Sequence, residues 1–166
     1  MKLTETKLKQ LILETMDDDW DQSMSQEETI AKGMTKDPAD IENMLFMADS
    51  ANVDLSEIGR YLEKDTARYI ENLIASRTKP EWAPILITSQ DTGILDGLLQ
   101  SWYKSKDILS DDQLIKLYKS APNSFKNLMA GYTSLPPAVR KVIDELKGIQ
   151  RRGKSRLRMS LRKNKK

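Results

Sequence analysis

The sequence predicts an all-α protein, a compact bundle of five to seven helices with an acidic N-terminal arm and a basic C-terminal tail. Apolar residues recur every three or four positions over most of the 166-residue chain, which is the period of an amphipathic helix. Helix-starting residues precede several of these stretches, as Asp37 precedes Pro38. The chain is long enough for one domain with a buried core. We divide it into a leader helix (1–16), an acidic linker (17–36), a helical domain (37–148) and a basic tail (149–166).

The leader is predicted to be an amphipathic helix of roughly three turns. Thr4 is a candidate N-cap, and Leu8, Leu11 and Ile12 follow it at helical spacing. A helix this short is marginal in isolation. We therefore expect the apolar stripe of Leu8, Leu11 and Ile12 to pack on a partner surface, such as that of another protein.

Residues 17–36 are predicted to form a linker or a loosely held arm, because like charges cluster there and large apolar residues are few. The segment begins with four aspartates, Asp17, Asp18, Asp19 and Asp21. A calcium-binding loop needs ligands at alternating positions, a central glycine and a closing glutamate. The run lacks that glycine and that glutamate, so we interpret it as a solvated acidic segment and not as a metal site.

The helical domain is predicted to begin with two helices. The first runs from Pro38 to about Ser50, and the second is a single helix from Asp54 towards Arg77. Asp54 and Glu57 have the spacing of a capping box, and apolar residues continue behind them with a period of about 3.6 residues.

The stretch after this helix contains Pro80 and Pro84, and it is either a short extended piece or a core-filling loop. The sequence does not decide between the two. Tryptophans at 20, 82 and 102 are interpreted as anchors of the core or of an interface, because no basic residues bracket them as a base-stacking platform would require. The remaining helices are predicted to begin at Thr88 with Asp91 as its capping partner, at Ser110, at Pro122 and at Pro136, and the last to end at Gly148.

The composition excludes several classes of function. The chain contains no cysteine and no histidine, so disulfides, thiolate or imidazole metal sites and Ser-His-Asp triads are excluded. No spacing of carboxylates, lysines or serines points to an active site, and we predict a non-enzymatic protein without a cofactor or metal. The lack of cysteine favours a cytoplasmic location, and we expect neither a membrane span nor a secretory signal.

Charge is divided unevenly along the chain. Residues 1–130 hold 15 Lys/Arg and 23 Asp/Glu, whereas residues 131–166 hold 12 and 2. The tail from Arg151 to Lys166 has nine cations and no acid. Such a segment is best neutralised by a polyanion, whose condensed counterions are released on binding. The residues predicted to contact phosphate are Arg151, Arg152, Lys154, Arg156, Arg158, Arg162, Lys163, Lys165 and Lys166.

Nucleic acid fits this tail better than a membrane surface does. Leu157, Met159 and Leu161 alternate with a period of two, so they do not form one apolar face of a helix. Phosphate contacts carry no sequence information, and the tail therefore does not distinguish DNA from RNA.

The leader also resembles a known class of segment. The sequence MKLTETKLKQLILE, with Ile12-Leu13-Glu14 at its end, resembles the short amphipathic leaders of some tailed-phage virion proteins. In that family the leader directs the protein into the assembling head, and a head-maturation protease cleaves after a Leu/Ile-x-Glu site. The resemblance implies a virion-associated phage protein, with cleavage after Glu14 left open.

A second resemblance lies between Leu55 and Leu73, which is similar to the helix-turn-helix of DNA-binding regulators. The matching residues are Ile58, Gly59, Leu62 and Tyr69. The similarity implies that Thr66, Arg68 and Arg77 face DNA. The segment departs from the motif at Glu63, Lys64 and Asn72, and a single uninterrupted helix accounts for the same apolar residues.

These observations predict a non-enzymatic accessory or virion-type protein that binds nucleic acid through its basic tail. Two alternatives stay open. One is a helical interaction or scaffold protein that docks on a protein partner, and the other is a helix-turn-helix transcriptional regulator.

Overall fold

A computed structural model describes residues 24–148, and this part of the chain contains helices and no strand, which confirms the all-α prediction. It holds more helices than the five to seven predicted for the whole chain, for three reasons given below. In chain order they are α1 (Gln26–Gly33), α2 (Pro38–Ala51), α3 (Leu55–Ile58), α4 (Lys64–Ala75), the 3-10 helix η1 (Pro80–Leu86), α5 (Thr92–Lys104), α6 (Asp111–Ser120), α7 (Asn123–Gly131) and α8 (137–148).

The prediction that residues 17–36 form a linker is wrong for its second half, which contains α1. Ser25 caps this helix by accepting a hydrogen bond from the Glu28 amide at 3.2 Å. Ile30 and Met34 are fully or almost fully buried against the core. A Cβ at Gly33 would overlap the Met44 sulfur of α2. The backbone of α1 therefore packs closely against α2 at a position without a large apolar side chain. The small number of large apolar residues in this segment does not prevent it from packing as a helix, because two large residues beside small ones suffice for such close packing.

The prediction of one helix from Asp54 towards Arg77 is also wrong. Helix α3 ends at Ile58, and α4 begins at Lys64 after a turn. The turn contains Gly59, where an added Cβ would overlap the backbone carbonyl oxygen of Ile85 in η1. The turn can therefore pack directly on the backbone of η1, and the tertiary contact overrides the continuous apolar period.

The segment with the two prolines is a 3-10 helix, and it is central to the core. Its buried residues are Trp82, Ala83, Ile85 and Leu86, and it packs on α3, α4 and α5. Thr88 does not cap the following helix as predicted. The cap is Asp91, whose Oδ1 accepts from the amides of Gly93 at 2.9 Å and Ile94 at 3.2 Å. Thr88 instead donates its hydroxyl to the Ser56 carbonyl oxygen at 2.6 Å, which ties the turn after η1 to α3.

Helix α5 is the inner helix of the bundle. It buries Leu95, Leu98, Leu99 and Trp102, and it contacts α4, η1 and α7. Trp82 and Trp102 are 3% and 2% exposed, so their interpretation as core anchors is confirmed.

Other start signals are confirmed as well. Asp37 caps α2, with Pro38 in its first turn, and Ser110 forms a reciprocal capping box with Gln113 at the start of α6. These caps supply acceptors for amides that have no partner within the helix.

Candidate functional site

The residues predicted to contact phosphate, Arg151 to Lys166, lie outside the described residues. The same holds for the leader residues Leu8, Leu11 and Ile12 and for the aspartates between 17 and 21. The structure therefore bears on function through the surface of residues 24–148. Four features of that surface are relevant: the segment that resembles a helix-turn-helix, a cluster of charges around Lys116, a basic patch around Tyr103, and an apolar groove at Phe46.

The segment that resembles a helix-turn-helix does contain two helices and a turn, but its first helix has only four residues. Thr66, which the resemblance places against DNA, is 4% exposed and packs inside the domain. Arg68 is exposed, and its guanidinium lies 3.4 Å from the Glu71 carboxylate on the same helix. A buried Thr66 cannot reach a base edge, so only Arg68 and Arg77 of the three residues lie at the surface.

A group of polar side chains joins α3 to α6, and we call it the Lys116 cluster: Asp54, Ser56, Glu57 and Lys116. The Lys116 ammonium lies 2.7 Å from an oxygen of Asp54 and 2.7 Å from an oxygen of Glu57. It also contacts the Ser56 hydroxyl, which in turn donates to Asp54 Oδ1 at 2.6 Å. Each of these residues therefore has partners within the domain.

The charges of the Lys116 cluster decide its chemistry. Hydrogen bonds from Lys116 and Ser56 hold the pKa of Asp54 at about 2, below its usual value of 3.8. Partial burial lowers the pKa of Lys116, but its hydrogen bonds to Asp54 and Glu57 outweigh this and raise it. Lys116 is therefore a protonated ammonium and cannot act as the base that activates Ser56 as a nucleophile. The cluster is a structural staple between α3 and α6.

A different arrangement lies at the C-terminal end of α5. Here the Lys106 ammonium stands 3.7 Å from the ring centre of Trp102 and 4.3 Å from that of Tyr103. Tyr103 is 51% exposed, although Trp102 beside it is buried. The Arg77 guanidinium lies 3.5 Å from the backbone carbonyl oxygen of Lys104. We call Arg77, Tyr103, Lys104 and Lys106 the Tyr103 patch.

The cations of the Tyr103 patch have no carboxylate partner among the described residues. No Asp or Glu oxygen between residues 24 and 148 lies within 4.0 Å of the charged nitrogens of Arg77, Lys104 or Lys106. Exposed Asp107 follows Lys106 in the chain but forms no such ion pair. The patch therefore presents three positive charges without a carboxylate partner in residues 24–148, and one of them, Lys106, lies over the exposed ring of Tyr103.

Arg77 adopts a left-handed backbone conformation, with φ at 60°. It follows α4 at the position where helices commonly end on glycine, and the Thr78 amide donates to the Leu73 carbonyl at 2.9 Å across it. The other left-handed residue in residues 24–148 that is not glycine is Asn52, which ends α2, and asparagine tolerates this conformation better than arginine does. An arginine here carries a conformational cost of about 1 kcal/mol.

Sequence reasoning missed the Tyr103 patch. The interpretation that no basic residue brackets the tryptophans is wrong, because Lys106 covers Trp102 and the Lys79 ammonium lies 5.3 Å from the ring centre of Trp82. The run Trp102-Tyr103-Lys104-Ser105-Lys106 was the available signal. Arg77 is 27 residues away along the chain, and only the fold brings it to this run.

In contrast to the basic Tyr103 patch, an apolar groove lies between the end of α1 and the acidic helix α2. It encloses about 430 Å³, and Phe46 at its edge is 72% exposed. Helix α2 holds three acids and no basic residue. The groove is lined by Gly33, Thr35, Asp40, Asn43, Met44, Phe46 and Met47.

Within residues 24–148 no three side chains form a group that could hold a metal ion. No helix of that part combines the length and the apolar character needed to cross a bilayer. Comparisons of the chain with protein-family models, with curated proteins and with solved structures found no significant match.

Proposed function

We propose that this chain is a non-enzymatic, nucleic-acid-associated accessory protein whose tail, Arg151 to Lys166, binds phosphate backbones. The resemblance of Met1–Glu14 to phage leaders makes a virion-associated protein the specific form of this proposal. The observation that carries it is the separation of charge between the tail and the rest of the chain.

That separation is larger than the net charge of +2 suggests. Residues 1–148 hold 18 Lys/Arg and 25 Asp/Glu, whereas residues 149–166 hold nine Lys/Arg and no acid. In the domain, carboxylates neutralise several of the lysines and arginines, as Asp65 pairs with Lys36 and Asp91 pairs with Lys64. The tail has no acid of its own, so its charge is available for an external polyanion.

Binding by such a tail is driven by the release of counterions condensed on the nucleic acid. If about five phosphates are contacted, the logarithm of the affinity falls with the logarithm of the salt concentration at a slope near −4. Because phosphate contacts carry no base information, DNA and RNA of any sequence should bind with similar affinity through the tail.

The first prediction tests the tail in the full-length chain. Replacing its nine lysines and arginines by glutamine should reduce affinity for a short duplex by at least about 100-fold at low salt and flatten the salt slope. Fluorescence polarisation of a labelled duplex at several salt concentrations measures both quantities.

A chain with the same sixteen tail residues in scrambled order is the matched control. It should bind as the natural chain does, since charge density and not order supplies the affinity. Equal binding by the glutamine variant and the natural chain would refute the proposal.

The exposed Phe46 and its groove favour a second candidate, a helical interaction or scaffold protein that docks on another protein. Phe46 is more exposed than any other large apolar residue of the described part. In that case retention on a nucleic-acid column should be weak and unaffected by the tail substitutions, whereas Phe46→Ser should abolish recovery of a protein partner. A helix-turn-helix regulator, the third candidate, gains no support from the buried Thr66.

A further inference from the structure

We infer that the Tyr103 patch is a second nucleic-acid contact, on the folded domain, and that it binds single strands by stacking an unpaired base on Tyr103. The inference deepens the proposed function and rests on it. The tail binds single strands and duplexes alike through charge. The patch adds an aromatic ring on which a base can stack only if it is unpaired and unstacked.

Exposed large hydrophobic side chains occur at four places in residues 24–148, and their surroundings differ. Phe46 lies on acidic α2, and Tyr61 follows Arg60, which is paired with Glu57. Leu128 offers no ring. Tyr103 alone among these four has a lysine ammonium over its ring, that of Lys106, and no carboxylate of residues 24–148 pairs with that lysine.

The cations of the patch are held by the domain. Lys106 is fixed over two aromatic rings, at 3.7 Å and 4.3 Å from their centres, and its ammonium still has donors for a phosphate oxygen. Arg77 is held against the end of α5 by its contact with the Lys104 carbonyl at 3.5 Å. A pre-positioned cation loses less side-chain freedom on binding than one on a free chain does.

The backbone of Arg77 is a second, independent observation. Glycine would occupy the left-handed position after α4 without a clash, yet this chain has the residue with the largest cationic group there. Strained backbone conformations concentrate at functional sites, where the side chain has a use that outweighs the strain. At this position the side chain brings a guanidinium to the end of α5, which carries Tyr103.

Stacking on an exposed ring is the interaction that distinguishes single strands from duplexes. Every base offers a flat face, so the contact tolerates any sequence, but in a duplex both faces are already covered by neighbouring base pairs. Cations beside the ring then contact the phosphates that flank the stacked base. In the Tyr103 patch the Lys106 ammonium lies over one face of the ring, so the base stacks on the other face of this half-exposed side chain.

The experiment compares an oligothymidine of about 12 nucleotides with a duplex of the same length, using the full-length chain and fluorescence polarisation. Tyr103→Leu should weaken binding of the oligothymidine roughly tenfold and leave duplex binding within about twofold. Tyr61→Leu is the matched control, since it removes a tyrosine outside the patch, and it should change neither affinity.

Charge is tested separately. Changing Arg77, Lys104 and Lys106 to glutamine should reduce the salt slope for the oligothymidine by roughly 2, at about 0.7 for each phosphate that is no longer neutralised. The same change of net charge at Lys36, Lys64 and Lys119 is the control, and it should have a smaller effect. Arg77→Gly removes the backbone strain, so weaker oligothymidine binding without a lower melting temperature would exclude unfolding as the cause.

The outcomes separate this inference from the proposed function. If the natural chain binds both polymers and Tyr103→Leu binds the oligothymidine equally well, the inference is wrong and the proposed function stands. If the natural chain binds neither polymer, both are wrong. To keep the tail from masking the patch, the same comparison is repeated with the nine tail cations replaced by glutamine, where the effect of Tyr103→Leu should persist.

Discussion

Lysines in this domain occur in two kinds of surroundings, and the Lys116 cluster and the Tyr103 patch represent them. Lys116 lies 2.7 Å from each of two carboxylates and is partly buried between helices. Lys106 lies over two aromatic rings, is exposed, and has no carboxylate partner in the described part of the chain. The same residue type therefore serves to join helices at one place and to present charge at the other.

The surroundings of a surface cation, and not its residue type, decide whether it can bind an anionic ligand. A lysine that already pairs with carboxylates binds a phosphate poorly. The lysine would have to give up its carboxylate partners, or the phosphate would have to lie beside those negative charges and be repelled by them. A lysine held by aromatic rings keeps its full charge, since a ring attracts the cation without neutralising it. Pairing, and not the number of cations, identifies the surface that is available to a polyanion.

Among the changes that distinguish the Lys116 cluster from the Tyr103 patch, Gly59→Ala should have the largest effect on stability. The added Cβ would overlap the Ile85 carbonyl oxygen and push α3, with Asp54 and Glu57, away from Lys116. We expect a loss of about 1–3 kcal/mol in the free energy of unfolding, as for other overpacked sites. Urea denaturation measures it. Nucleic-acid affinity of the folded fraction should stay unchanged, and a parallel loss of affinity would show that the two regions are coupled.

A smaller effect is expected from Lys116→Met, which keeps the length of the side chain and removes its charge. Asp54 and Glu57 remain partly exposed, with side chains 61% and 30% accessible, so water compensates for most of the lost ion pairs. We expect a loss of about 0.5–1 kcal/mol in the free energy of unfolding. Duplex and oligothymidine affinities serve as the control and should not weaken. A tenfold fall in either would mean that Lys116 contacts the ligand and that pairing does not distinguish the two regions.

The smallest expected effect is the pH dependence of stability that Asp54 contributes. Its pKa is about 2 in the folded protein and 3.8 when unperturbed, so the ionised form stabilises the fold. This contribution is fully present above about pH 4 and is lost as pH falls from there through about 2. The difference in unfolding free energy between the natural chain and Asp54→Asn should therefore shrink across that range. A difference that stays constant from pH 5 to pH 2 would mean that Asp54 is not held ionised by Lys116.

Local signals in the sequence predicted much of the fold. The all-α class followed from helical periodicity, and caps such as Asp37 and Ser110 were predicted because each satisfies amides of its own helix. The predictions are wrong where contacts with residues distant in the sequence decide the local structure. The break at Gly59 depends on the Ile85 carbonyl, and the departure of Thr88 from its predicted capping role depends on the Ser56 carbonyl, 32 residues away.

The charge of the tail follows from its residues alone, because a run with nine cations and no acid remains cationic in any conformation. The sequence also determined that the chain has neither thiolate nor imidazole chemistry, since it contains no cysteine and no histidine. Only the tertiary structure decided which cations of the domain are neutralised. Lys116 meets Asp54 across 62 residues, whereas Arg77 meets the end of α5 and pairs with no carboxylate of residues 24–148. Ion pairing depends on distances that the fold sets and the order of residues does not.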